Sequence, residues 1–303
     1  MNADSRHAYL IMCHKDDYLL RRLISALDDS RNDIYIHMDS KTDCDMEQIR
    51  QIAQYSHIVV VERTDVTWGD YSQINAELIL LKAALSSHHY EYLHLLSGSD
   101  FPIQTQDIIH SFFHNHRGTE FVQIDSVSYS EYKYRVERYY PLQHILGRET
   151  VSYPNMRHVV FWLLNKLISS VQGVFFPRNQ DIKFAKGANW FSITSNLAQY
   201  VVDREAWIKK IFSHSLNGDE LFLQTIVCNS PFKNRLYQLN SQSSSRSIVR
   251  LIDWDRGSPY IFTYKDLEEL AQSEMMFARK IVPSDSSFID ALYRLSRQSG
   301  TNI

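Results

Sequence analysis

Short apolar runs alternate with helix-period segments over the first hundred residues, and this alternation restricts the chain to one class of architecture. Residues 9–13, 33–38 and 58–61 read as strands, with helices over 18–27 and 46–55 between them. Ile74, Leu78, Leu81 and Leu85 recur at i, i+4, i+7 and i+11, one apolar face of a helix over 71–87, and residues 92–96 follow as a buried strand. Strands that alternate with helices build consecutive βα units, so an α/β fold with a mostly parallel central sheet flanked by helices is expected. At about 150 residues per domain, 303 residues allow one large α/β domain or two small ones. With no internal repeat and no linker rich in Pro, Gly or Ser, a single domain over 1–303 is expected.

The second half resumes the pattern after an interruption. Residues 126–157 are irregular and carry Tyr129, Tyr132, Tyr134, Tyr139 and Tyr140 among mixed charges, an excursion from the sheet. Then follow a strand over 190–193, a helix over 195–212, a helix over 218–228, a polar loop over 240–247 and a strand over 248–252. Thr263 and Asp266 form a capping-box start for a helix ending near Gln272. The most apolar long run, 159–176, is interrupted by Asn165, Lys166, Ser169, Ser170, Gln172 and Gly173, short of the roughly 18 uninterrupted apolar residues of a bilayer span. It reads as a helix that is buried or lies on a membrane surface, and burial is the expected outcome because one lysine alone marks a polar face.

Composition excludes several functions. Lys and Arg number 32 against 35 Asp and Glu, a net charge of -3, so a nucleic-acid partner is not expected. Cys13, Cys44 and Cys228 are far apart and form no CxxC pair, which suggests neither a disulfide framework nor a structural zinc site and fits a reducing cytosol. The polar N-terminal residues run straight into a strand with no apolar region ahead of it, so no export signal is expected.

Loops after strands in open α/β sheets are where ligands bind, and the strand ends here supply His14 and Lys15, 39–41, 67–70 and 97–100. The turn Ser97-Gly-Ser99 lets a ligand approach the backbone and presents Asp100, which could equally cap an amide. Asp43-Cys-Asp45 and Asp253-Trp-Asp255 match a metal-binding Asp-x-Asp. The first reads better as helix caps, and Arg250 and Arg256 compete for the second. His110 and His114, with His116 nearby, have zinc-like i, i+4 spacing on a helix but no third ligand. Asn217 and Glu220 have the spacing of an N-cap and an N3 residue, for which a capping box is the structural reading; the functional reading makes Glu220 a general base at a helix N-terminus. Arg250, Arg279 and Lys280 stand beside apolar anchors as snorkelling surface groups or as diphosphate ligands.

Taken in order, Val66-Thr-Trp-Gly69, Leu96-Ser-Gly-Ser-Asp100-Phe-Pro-Ile103, Lys186-Gly-Ala-Asn-Trp-Phe191, Gly218-Asp-Glu-Leu-Phe222, Arg250-Leu-Ile-Asp-Trp254 and Phe277-Ala-Arg-Lys280 resemble the core-2/I-branching glycosyltransferases. That family includes β-1,6-N-acetylglucosaminyltransferases and peptide O-xylosyltransferases, and the resemblance runs from Tyr9 to about Ile281. It implies a GT-A-type fold with a Rossmann-like sheet. It also implies inverting transfer from a UDP-sugar to a hydroxyl of a glycan or lipid-linked glycan acceptor, with no metal or other cofactor. Residues 1–125 would bind the nucleotide sugar, 126–185 would form an acceptor-side insertion, and 186–303 would supply the catalytic and diphosphate-binding part. The resemblance makes Glu220 the base and gives the diphosphate to Arg250 and Lys280. The uridine falls to Asp39 and to Thr67, Trp68 and Gly69, with His14 beside them, and the donor sugar to Asp100. Trp190, Asp219 and Trp254 fall on the acceptor side.

The chemistry agrees with that distribution. The acceptor hydroxyl loses a proton as it attacks, which one carboxylate can accept, and departing UDP gains charge that a metal or fixed cations must stabilise. Golgi members carry a transmembrane segment and disulfides. Without them the chain reads as a bacterial cytoplasmic member acting on a lipid-linked or surface-polysaccharide precursor, with peripheral contact at the inner membrane face left open. A metal-dependent transferase using Asp253 and Asp255 or Asp100, and a carbohydrate-binding protein that has lost the chemistry, are the alternatives. GlcNAc, xylose, galactose and glucose all remain open as donor sugars.

Overall fold

A computed structural model describes residues 5–147, 156–237 and 244–297 of the chain. The strands are β1 (His7–Cys13), β2 (Asn32–Met38), β3 (His57–Val60), β4 (Tyr92–Ser97), β5 (Phe101–Pro102), β6 (Phe121–Val122), β7 (Phe191–Ile193), β8 (Arg250–Ile252) and β9 (Phe277–Arg279). The helices of the first half are α1 (Tyr18–Leu27), α2 (Met46–Arg50), α3 (Tyr71–Ser87), α4 (Gln106–Asn115), α5 (Tyr129–Tyr132), α6 (Tyr134–Glu137) and α7 (Gln143–Leu146). Those of the second half are α8 (Met156–Phe175), α9 (Ser195–Val202), α10 (Glu205–Phe212), α11 (Phe222–Cys228), α12 (Leu267–Gln272) and α13 (Ser286–Arg297).

The main sheet runs β3-β2-β1-β4-β7-β6; its first four strands are parallel, and β7 pairs antiparallel with both β4 and β6. This is the expected mostly parallel α/β sheet. Successive side chains point to opposite faces. Tyr9 and Ile11 of β1 therefore join Leu20 and Leu23 of α1, Phe113 of α4 and Leu292 of α13. Ala8 and Leu10 join Ile74 and Leu78 of α3, Leu197 of α9 and Ile226 of α11. Both faces are covered, which is why these strands read as continuous apolar runs rather than alternating ones. Each fully buried Leu or Ile stabilises by about 1.5–3 kcal/mol, so a slip of one residue, which would exchange the two faces, is excluded by many such contributions at once.

A second sheet, β5-β9-β8, sits beyond the C-terminal end of β4. Sequence periodicity does not reveal it, because each of its strands has only two or three residues. The strand expected over 248–252 is shortened to β8 because Val249 adopts a positive φ of 51°, and the polar loop expected over 240–247 lies partly outside the described residues. The helix expected over 46–55 ends at Arg50, since the Asp28 carboxylate draws the N–H groups of Gln54, Tyr55 and Ser56 out of the helical pattern. The helix expected over 195–212 is two helices, broken where Arg204 N–H closes a tighter turn on the Val201 carbonyl. The Thr263 and Asp266 capping box forms as expected.

The expectation of burial for 159–176 fails. Within α8, Asn165 and Ser169 are buried, whereas Leu163, Leu167, Val171, Val174 and Phe175 are exposed. Polar groups make the seam to the body: Asn165 Oδ1 accepts from Leu142 N–H at 3.1 Å and Gln172 Oε1 from Tyr139 N–H at 2.7 Å. Gly173 is part of the same seam, where a Cβ would come within 2.8 Å of Arg138 Cγ. Among the described residues no helix is long and apolar enough to cross a membrane.

Candidate active site

The strand order reverses direction between β1 and β4, the point at which open α/β sheets form a ligand crevice. At its rim the Asp39 N–H donates to the Cys13 carbonyl at 2.9 Å and Thr42 Oγ1 to the His14 carbonyl at 2.9 Å. The ends of β1 and β2 are thereby joined, and His14 and Asp39 come together. Asp39 is nearly buried, its Oδ1 accepting from the Lys41 N–H at 2.9 Å and its Oδ2 lying 3.2 Å from Lys41 Nζ.

The Thr67, Trp68 and Gly69 loop packs against a turn that sequence distance hides. Asn217 N–H donates to the Gly69 carbonyl at 2.9 Å, and a Cβ on Gly69 would stand 2.4 Å from Asn217 Oδ1, so only glycine fits there. On the other side Gly187 N–H donates to the Glu220 carbonyl at 3.0 Å. The capping-box reading of this turn is not what forms: Asn217 has a left-handed φ of 48° and its side chain caps nothing. Glu220 Oε2 instead meets Arg135 Nη1 at 2.6 Å, with the Glu220 side chain 35% exposed. Glu220 is thus released from capping, oriented by a guanidinium and partly open to solvent, properties that a proton acceptor needs.

Two further carboxyls lie behind Glu220. Asp219 is buried, with Oδ2 accepting from Gln73 Nε2 at 3.2 Å and Oδ1 unpartnered. Burial, reinforced by the Glu220 charge, raises it to about 7. Glu77 of α3 is fully buried, with neither oxygen hydrogen-bonded; burial, then the nearby Asp219, holds its carboxyl well above the usual range. Glu77 has a legible sequence signal, a carboxylate inside the apolar stripe Ile74, Leu78 and Leu81. Arg135 has none, standing 85 residues from its partner.

The cations divide into two kinds. Arg250 is 1% exposed and donates to the carbonyls of Ile248 at 2.8 Å, Leu95 at 2.8 Å and Phe191 at 2.9 Å, binding the second sheet to the first. Burial lowers its guanidinium to about 10. Its side chain faces the protein interior, contrary to the expected diphosphate contact, because three backbone carbonyls claim its donors. Arg279 lies nearer the surface, 2.5 Å from Ser97 Oγ and 3.3 Å from both Asp100 oxygens, with its guanidinium 4.3 Å from the Trp190 ring centre. Asp100 is fully buried and accepts from Ser97 N–H at 2.5 Å, so it organises the turn and Arg279 together. The half-buried Lys280 follows Arg279 directly, its carbonyl accepting from Phe262 N–H at 3.0 Å.

The remaining sequence candidates lie elsewhere. Trp254 is exposed, and Asp253 beside it accepts from the Asp255 and Arg256 N–H groups and pairs with the Arg256 side chain. Arg250, expected as a competitor there, points away. Asp45 caps α2 through the Glu47 and Gln48 N–H groups. His110 is buried, stacked 3.9 Å from His7 and bonded to Asn32, whereas His114 turns to Glu91, so the zinc-like pair is split. Among the described residues no three His, Cys, Asp or Glu side chains are placed to share a metal ion.

A cavity of about 410 Å³ adjoins the Trp68 loop, lined by Trp68, Tyr134, Tyr140, Gln143, Trp162 and Lys166 among others. Aromatic faces with a few polar groups suit a sugar ring, whose C–H faces stack while its hydroxyls hydrogen-bond.

The chain is similar to xylosyltransferase 2 of Rattus norvegicus, 24% identical over 299 residues that cover 91% of this chain and 32% of that protein. It is also similar to xylosyltransferase oxt of Drosophila melanogaster, 24% identical over 286 residues that cover 87% of this chain and 30% of that protein. It thus spans about a third of the length of these curated relatives. Among solved structures, the apo form of mouse xyloside xylosyltransferase 1 aligns over 90% of this chain and 97% of that one, at 10% identity and a TM-score of 0.37. The family model for the core-2/I-branching enzyme matches residues 7–276, which include the Trp68 loop and the Glu220 turn and end just before β9. With that match extending over most of its length, the chain belongs to the core-2/I-branching enzyme family, a family of glycosyltransferases.

Proposed function

We propose that this protein is an inverting glycosyltransferase that moves a sugar from a UDP-sugar to a hydroxyl of a glycan acceptor without a divalent metal. The observation that carries the reading is Glu220: freed from helix capping, paired to Arg135 and partly open to solvent on the turn that bonds to Gly69, it has what is needed to take the proton of an attacking hydroxyl. In a single displacement the acceptor oxygen attacks the anomeric carbon as its proton passes to Glu220. The bond to the diphosphate oxygen breaks, and UDP leaves with the electron pair. Lys280 and Arg279 are the cations for the departing diphosphate, and Arg250 acts beneath them by fixing β8 to the main sheet. His14, Asp39 and the Thr67, Trp68 and Gly69 loop form the nucleoside side, and the aromatic cavity takes the acceptor.

Calorimetric titration with UDP, first in EDTA and then with manganese, tests the donor site. Equal affinity in both supports a cation-held diphosphate; affinity that requires manganese moves the site to carboxylates, and no binding in either condition removes the UDP-donor reading. Xylose, GlcNAc, galactose and glucose donors are then separated by a transfer assay with each UDP-sugar.

A further inference from the structure

We infer that α8 is a surface anchor that docks the protein on an anionic membrane, lying in the plane of the headgroups with its apolar face in the lipid. The seam to the body is polar, through Asn165, Ser169 and Gln172, so the helix is held with Leu163, Leu167, Val171 and Val174 facing outward. Its length of 20 residues and its outward face rich in Leu, Val, Trp and Phe match an interfacial helix and not a span.

Charge identifies the occupant. Helix α8 carries Arg157 and Lys166, both exposed, and no Asp or Glu. Two copies meeting through this face would oppose like charges with no acid on either helix to neutralise them, whereas phosphatidylglycerol-type headgroups supply the missing sign. Trp162, with Lys166 4.9 Å above its ring, pairs an amphipathic aromatic with a cation as headgroup-level residues do. The edge of α8 that borders the seam, through Trp162 and Lys166, forms with Asn165 a wall of the aromatic cavity. A cavity opening along the membrane surface suits an acceptor sugar carried on a lipid; that extension rests on the glycosyltransferase reading, and the docking itself does not.

The test is co-sedimentation of the full chain with vesicles of phosphatidylcholine alone and of phosphatidylcholine mixed equally with phosphatidylglycerol. Binding to the anionic vesicles about tenfold to thirtyfold tighter is expected from two cations, and a loss of at least about tenfold in the L163E/L167E/V171E variant. Failure of the unmodified protein to bind anionic vesicles overturns the proposal, as does undiminished binding by the variant. So does a dimer in sedimentation velocity that the variant dissolves while vesicle binding is absent. Should the triple variant misfold, quenching of tryptophan fluorescence by brominated lipid decides the matter: the unmodified protein should be quenched, and W162F should lose much of that quenching. Vesicle binding without UDP binding keeps the anchor and removes the donor reading; UDP binding without vesicle binding does the reverse.

Discussion

Helices α3 and α8 are both long and largely apolar, yet the molecule uses them in opposite senses. α3 lies under the sheet with Ile74, Leu78 and Leu81 in the core and encloses a carboxyl, Glu77, with no partner. α8 sits outside the sheet and turns its polar residues inward and its leucines out. The contrast shows that an apolar stripe tells how much surface a helix has to cover but not what covers it. The sheet decides for α3, and hydrogen-bonding groups on 137–142 decide for α8.

Substitutions can break or sharpen that contrast, beginning with the chemistry that α3 supports. Glu220→Gln should lower turnover by about 10²–10⁴-fold while leaving calorimetric UDP binding intact; retained turnover would remove the base assignment. Arg250→Ala should cost about 3–5 kcal/mol in urea unfolding, because it removes three buried hydrogen bonds that tie the second sheet to the first. Lys280→Ala, at a half-buried position, should cost less in unfolding than Arg250→Ala and should weaken UDP binding more than uridine binding. Similar unfolding losses at the two positions would erase the division between the buried cation and the proposed diphosphate cation.

Glu77→Met should stabilise the protein by about 1–3 kcal/mol at neutral pH by removing an unpaired polar group from an apolar layer. The sign with pH follows from the raised folded-state carboxyl. Above the unfolded value of 4.5 the unfolded chain releases this proton while the folded protein keeps it, so the folded state binds more protons and loses stability as pH rises. The gain from Met should therefore shrink as pH falls toward 4.5, and a pH-independent gain would refute the buried proton. The smallest effects belong to α8. Asn165→Ala should cost about 1 kcal/mol through the lost seam bond, while Leu167→Ser on the outward face should stay within about 0.5 kcal/mol in the absence of lipid. Reversed magnitudes would mean that the outward face is covered by protein.

The parallel half of the main sheet is legible in the sequence because burial on both faces forces continuous apolar runs, which admit few other readings. The second sheet is not, since two or three residues carry no periodicity. At the site, Trp68, Gly69 and Glu220 are marked by motif, but the local rule misassigns Glu220: an Asn three residues before a Glu reads as a capping box until the left-handed Asn217 turns the carboxylate outward. Arg135 joins Glu220 only through tertiary structure. Arg250 carries a motif but not its direction, because nothing in a sequence says which carbonyls will claim its donors.

The polar seam of α8 also sets how that helix breathes. Opening it breaks few side-chain bonds and uncovers no core, so its amides should exchange with solvent through local fluctuations far cheaper than global unfolding, whereas those of β1 and β4 should exchange only when the whole sheet opens. In deuterated buffer the segment 156–175 should label early and the central strands last. If the helix docks as proposed, added anionic vesicles should slow it alone, making one wall of the aromatic cavity firm only on the membrane.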